Sequence, residues 1–162
     1  MTAQAWIAAV VGIAAVSDDL ARRQIANWIP AAAFCAGLIL KTTQAGWRGA
    51  GSSLLGAAAG AGVFLVFYLA GGMGGGDVKL MAGFGAVLGT KLLLEAALWT
   101  AGCGGLMAAF AIGVRSIRAF WGRFGSPQKR ATVSEHGEGK RLEAIPYAPA
   151  ITAGVWLALV AK

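Results

Sequence analysis

Residues 71–80 read GGMGGGDVKL. Five glycines and one aspartate stand here between two long apolar stretches, approximately 50–71 and 77–93. A carboxylate costs about 2.5–3.5 kcal/mol at the centre of a membrane-spanning helix and is functional by default. Whether the flanking stretches cross a bilayer therefore decides both the fold and the meaning of Asp77.

Composition points to the bilayer. Of 162 residues, 57% are hydrophobic and 13% charged, against about a quarter charged in a soluble domain. Mean hydropathy is +0.67. A span needs about 20 apolar residues. Six candidates emerge, at approximately 3–18, 27–41, 50–71, 77–93, 95–115 and 144–161. The first, second and fourth are short. The expectation is an all-α membrane protein, a polytopic bundle of about six transmembrane helices, with 1–162 as a single domain. No Lys or Arg precedes the first apolar run, unlike a cleaved signal peptide. Residues 3–17 therefore read as a retained first span.

Net charge is +7. In a soluble protein that would suggest nucleic acid. Here the positive charges fall mostly between apolar segments, so no nucleic acid is expected as a partner. With six spans, one face carries Arg22, Arg23, Lys79, Arg115, Arg118, Arg123, Lys129, Arg130, Lys140 and Arg141, and the other carries Lys41, Arg48, Lys91 and Lys162. The ten-residue face is expected to be cytoplasmic, with both termini outside. Residues 116–143 are polar, basic and rich in turn-formers, which predicts a mobile cytoplasmic loop. Its front end, Arg115 to Phe124, mixes Arg with Phe120, Trp121 and Phe124, a pattern suited to a helix end at the headgroup level. Cys35 and Cys103 lie in apolar runs and read as small buried hydrophobes. Gly56–Gly60 and Gly85–Gly89 bracket small-xxx-small patterns, which let helix backbones approach closely in lipid.

Seven acids are present: Asp18, Asp19, Asp77, Glu95, Glu135, Glu138 and Glu143. The last three belong to the polar loop, and Glu95 reads as a snorkelling residue at the outer end of a span. Asp19 ends the first span and Asp77 begins the fourth. The span count returns the chain to the same face, so these two carboxylates can meet at one depth. Bland readings stand beside this one. Asp77 would serve as an N-cap, accepting from Lys79 or Leu80 N–H. Asp18 and Asp19 would pair with Arg22 or Arg23 along the helix. An N-cap alone does not require five preceding glycines, which permit positive φ and close backbone approach. Two carboxylates held together tend to share one proton. The ionised partner can then activate water while the protonated one polarises a scissile carbonyl. Other hydrolytic routes are poorly supplied. His136 is the one histidine, no HExxH occurs, and neither a metal site nor a cofactor is expected.

Three stretches carry a resemblance. Gly74-Gly75-Gly76-Asp77-Val78-Lys79-Leu80 resembles the GxGD motif of prepilin peptidases, the membrane aspartyl proteases that mature type IV pilins. Asp19-Leu20-Ala21-Arg22-Arg23-Gln24-Ile25-Ala26-Asn27 resembles their first motif, an Asp followed by basic residues and Ile-Pro-Asn. Ile145-Pro146-Tyr147-Ala148-Pro149-Ala150 resembles the I-P-Y-G-P segment that opens their last span. Ala26 stands where the family usually has Pro, and Ala148 where it often has Gly. The resemblance implies Asp19 and Asp77 as the catalytic pair, with Asp18 the competitor for the first place. It implies loop-shaping or substrate-facing roles for Gly74, Gly76, Lys79, Pro146 and Tyr147.

The short connection between the first two spans has no cysteine, where bifunctional members carry a CxxC-bearing insert. The chain thus resembles the small, peptidase-only branch of tight-adherence (Flp) pili, without N-methyltransferase activity. The resemblance further implies prepilin or pseudopilin substrates, contact with membrane lipid and pilus-assembly machinery, and a bacterial inner-membrane location with the active site towards the cytoplasm. Three other functions remain open at this stage. One is a preflagellin-type peptidase. Another is a proton- or ion-coupled transporter subunit, which would want midplane carboxylates and broken helices in both halves. The third is a non-catalytic assembly module docking through its basic loop.

Overall fold

The computed structural model describes residues 2–70, 73–122 and 147–161. They form four helices: α1 Ala3–Arg22, α2 Trp28–Leu69, α3 Gly75–Gly122 and α4 Ala148–Val160. Two are interrupted. Ala45 and Gly46 leave helical geometry inside α2, and Gly89 (φ 73°, ψ 174°) does so inside α3. Gly46 and Gly89 occupy the left-handed half of φ space, which glycine enters without Cβ strain.

The packing register shows that both breaks reverse the chain. A methyl group on Gly83 would strike Pro30 and Ala33, and one on Gly37 would strike Ala86 and Val87. The numbers rise together, so the first rod of α2 runs parallel to the first rod of α3. Beyond the break the order inverts. Ser53 Oγ donates to the Ala86 carbonyl at 3.0 Å, Gly56 faces Gly85, and Gly60 faces Met81. The second rod of α2 is therefore antiparallel to the same stretch of α3.

The same reasoning fixes α3. Gln4 Nε2 donates to the Val87 carbonyl, so the start of α1 lies beside the end of α3's first rod. α4 runs antiparallel to α1: Ala148 bonds Asp19, Gly12 faces Thr152, and Trp156 donates to the Ala8 carbonyl. Thr100 meets Gly154 and Gly104 meets Ala150, so α3's second rod is antiparallel to α4. The four helices therefore contain six rods running up and down, which is the all-α bundle expected from the apolar runs. Three stretches, Ala3–Arg22, Trp28–Leu69 and Gly75–Met107, are long and apolar enough to cross a membrane.

The first rod of α3 is the centre of the bundle. Leu80, Met81, Phe84, Ala86 and Val87 are fully buried, with Leu93, Ile151 and Val155 packed around them. In lipid, such packing is carried by close van der Waals contact rather than by exclusion of water. One close crossing joins the two small-residue patterns: a methyl group on Gly56 would run into the Gly85 carbonyl, and one on Gly85 into the Gly56 carbonyl.

Several boundaries differ from expectation. The fourth span ends at Gly89 rather than 93, because one left-handed glycine turns the chain while the apolar run continues into the next rod. The last span starts at Ala148, with Tyr147 as its N-cap and Pro149 in the first turn, where proline fits. Residues 144–146, including Pro146, lie outside the described residues. α3 extends to Gly122, so the first seven residues of the expected 116–143 loop are helical; the rest lies outside the described residues. Cys35 is exposed and Cys103 half-buried. They are not the small buried hydrophobes expected, because their helix faces look outward from the bundle.

Candidate active site

One end of the bundle gathers the sequence-predicted residues. Here α1 ends, α2 and α3 begin, and α4 begins. Asp19 closes the stripe Ala8, Gly12, Ala15, Asp19 that α1 buries, at the 3.6-residue spacing of one helix face. Asp19 is 7% exposed, and its Oδ2 accepts from Ala148 N–H at 3.3 Å. That donor belongs to the first turn of α4, where backbone N–H groups have no partner within the helix.

Asp77 is 8% exposed. It stands in the first turn of α3 on the same face as buried Leu80, Met81 and Phe84. Its Oδ2 accepts from Gly74 N–H at 3.2 Å, and its own N–H donates to the Gly74 carbonyl. Gly74 is the residue before the helix, so Asp77 reaches back to the cap position as the acid of a capping box does. The alternative of an N-cap bonding Lys79 or Leu80 is not what forms. The helix starts three residues earlier than that reading needs, because Gly75, Gly76 and Asp77 are themselves helical.

Positive φ is not what Gly74, Gly75 and Gly76 supply: among the described residues only Gly46 and Gly89 are left-handed glycines. A Cβ on Gly76 would lie 3.4 Å from Ile25 Cβ, and one on Gly75 3.6 Å from the Tyr68 ring, both ordinary contact distances. Ile25 of the α1–α2 turn and Tyr68 near the end of α2 thus pack against the start of α3. Gly71 and Gly72 lie outside the described residues.

Asp19, at the end of α1, and Asp77, in the first turn of α3, share this end of the bundle, where Ile25 of the α1–α2 turn lies over Gly76. Asp18 itself points elsewhere. Its Oδ2 accepts from Ala26 N–H at 2.7 Å, and its Oδ1 lies 3.5 Å from Arg22 Nε. Lys79 Nζ donates to Asn27 Oδ1 at 2.9 Å. Tyr147 lays its ring edge against Gly104 of α3. Sequence reasoning pairs Asp18 with an arginine, but not with Ala26 across the turn. Nor does it supply the Ala148 N–H, since a backbone donor carries no side-chain signal.

An open groove of about 290 Å³ runs between Pro30 and Phe34 of α2 and Lys79 and Gly83 of α3. Lys79 and Gly83 stand on the side of α3 opposite Asp77, so this groove faces away from the carboxylates.

Fold and site together define a class: a helical membrane protein with two buried carboxylates brought together at one end from separate helices. Residues 6–109 match the Type IV leader peptidase family, and the chain belongs to that family. The match contains both Asp19 and Asp77. Over 110 residues, 66% of this chain, it is 38% identical to the prepilin leader peptidase/N-methyltransferase of Bacillus subtilis (strain 168). The chain spans 35% of that relative's length. No solved structure gives a significant match.

Proposed function

We propose that this chain is a membrane aspartyl endopeptidase that removes the leader of Flp-like type IV prepilins at the cytoplasmic face of the bacterial inner membrane. The observation that carries the reading is the convergence of Asp19 and Asp77. They arrive from different helices at one end of the bundle and are almost fully buried. Family membership supplies the chemical context.

In the proposed reaction one carboxylate is ionised and accepts a proton from water. The water oxygen bonds to the scissile carbonyl carbon, and the protonated partner gives its proton to the carbonyl oxygen. Collapse of the resulting gem-diol breaks the C–N bond, with a proton delivered to the leaving nitrogen. The leader departs with a new carboxyl group and the pilin with a free amino group. Neither metal nor covalent acyl-enzyme is needed.

Gly74 and Gly76 keep the loop thin enough for an extended substrate backbone. Lys79 fixes the start of α3, and Tyr147 caps the start of α4. The substrate's apolar segment lies against the spans, within the surrounding lipid, before passing to the assembly machinery. The α1–α2 connection, residues 23–27, has no cysteine, which supports cleavage without N-methylation. The carboxylates sit at one end of the bundle, which favours this reading over a transporter with midplane relay groups.

The test is co-expression with an Flp-type prepilin and, separately, a preflagellin. Wild type should shorten the prepilin, leaving an unmethylated N-terminus by mass spectrometry. Shortening of the preflagellin alone would move the substrate assignment. Cleavage of neither would remove the proposal.

A further inference from the structure

We infer that Asp18 is a positioning residue: through the 23–27 turn, it sets the placement of Asp19 against Asp77. This rests on the proposed pairing of Asp19 and Asp77. α1 ends where Arg23 turns left-handed (φ 52°) and donates its N–H to the Asp19 carbonyl at 2.7 Å. The connection, residues 23–27, is tied at its last two positions. At Ala26, Asp18 Oδ2 holds the N–H at 2.7 Å. At Asn27, Oδ1 takes the Lys79 ammonium at 2.9 Å. Just before them Ile25 lies over Gly76, 3.4 Å from where a Cβ on that glycine would stand, and Gly76 immediately precedes Asp77.

One tie therefore starts beside Asp19 and the other ends two residues beyond Asp77. The turn couples the end of α1 to the start of α3 without touching the reacting atoms. Asp18 and Asp19 are adjacent in sequence, so their side chains leave the helix about 100° apart. Only one of them can face the buried pair, and Asp18 is the one given to the turn. Its partner Arg22 is largely solvent-exposed, with its side chain 78% accessible, and an exposed pair of this kind contributes little.

The prediction turns on what Asp18 supplies. A general acid or base needs an ionisable group. A tie to Ala26 needs only an acceptor oxygen, and an amide provides one. Both Asp18→Asn and Asp18→Ala abolish the charge, so the difference between them isolates the acceptor. The experiment measures cleavage of a synthetic prepilin peptide by each purified full-length variant in detergent. It reads kcat, KM and the pH–rate profile, with Asp19→Asn and Asp77→Asn alongside.

Asp18→Asn should stay within about threefold of wild type, since its amide keeps the hydrogen bond. Asp18→Ala should lose about 10–100-fold in kcat with little change in KM, the scale expected when reacting groups are misplaced. A limb of its pH–rate profile should also move relative to Asp18→Asn, because the coupling within a carboxylate pair depends on spacing. Loss of folded enzyme alone would scale the profile without moving it.

Asn27→Asp should likewise preserve rate and Asn27→Ala reduce it. If Asp18→Ala does not insert, this second pair decides. Wild-type rates in both alanine variants overturn the inference. So does an Asp18→Asn enzyme as inactive as Asp18→Ala, which would make Asp18 a chemical participant. Normal cleavage by Asp19→Asn and Asp77→Asn is a separate result: it defeats the pairing itself.

Discussion

Replacing Gly85 with alanine places a methyl group inside the carbonyl of Gly56 on the second rod of α2. The obstacle is backbone, which no side-chain rotation can clear. The two rods must separate. Overpacking of this kind costs about 1–3 kcal/mol. Alanine's advantage over glycine inside a helix returns roughly 0.5–1 kcal/mol, leaving a net loss of up to about 2.5 kcal/mol. Gly62→Ala is the internal control. It lies in the partner rod, and a methyl group there meets nothing within 4 Å, so it should be neutral or slightly stabilising. SDS-titration unfolding of the purified proteins in mild detergent measures both. Gly85 also shares a rod with Asp77, about 12 Å away along the helix at 1.5 Å per residue. A shift of 1 Å transmitted to Asp77 would cost up to about 100-fold in cleavage. Equal stability of Gly85→Ala and Gly62→Ala would refute the proposed crossing, and with it the antiparallel register assigned to these rods.

Other substitutions probe the remaining joints. Asp77→Asn keeps an oxygen for Gly74 N–H, so it should unfold close to wild type in the same titration while cleavage is lost; a large stability loss would mean that the carboxylate's charge is structural. Ser53→Ala removes a buried interhelical hydrogen bond to Ala86 and should cost about 0.6 kcal/mol, at most about 1.7, in the same titration. Gly89→Ala forces a Cβ into a positive-φ extended conformation that essentially only glycine adopts, costing about 1–3 kcal/mol, and sets it 2.8 Å from Ser52 Oγ; stability near wild type would argue against the chain reversal there. Gly76→Ala should be tolerated, because its Cβ meets Ile25 only at contact distance, whereas Gly76→Ile should displace the α1–α2 turn and reduce peptide cleavage.

The bundle is legible in the sequence because lipid leaves the backbone few choices: an apolar run of sufficient length must be helical to satisfy its own N–H and C=O groups. Gly56 and Gly85 are legible for the same reason, since small residues are what close approach in lipid demands. Gly89 shows the limit. It belongs to a small-xxx-small pattern yet serves as a reversal, and hydropathy does not register one glycine's change of φ inside a continuous apolar run. Asp77 shows another. A carboxylate beside a glycine run reads equally as a cap looking forward or backward, and the choice depends on where the helix starts. Asp18 and Asp19 are chemically identical and adjacent. Burial of the face that includes Ala8, Gly12 and Ala15 separates their environments, and that face is defined only by tertiary packing, chiefly against α4. The hydrogen bond from Ala148 to Asp19 spans 129 positions and leaves no local trace.

The account depends on Asp19 and Asp77 working as one unit, and non-additivity measures that directly. Single-turnover cleavage of a prepilin peptide should be slowed about 10²–10⁴-fold by Asp19→Asn and by Asp77→Asn, the range for removing a general acid or base. The Asp19→Asn/Asp77→Asn double variant should be no slower than the worse single one, as found for residues that act together. Penalties that multiply in the double variant, or a single variant that cleaves at the wild-type rate, would contradict it.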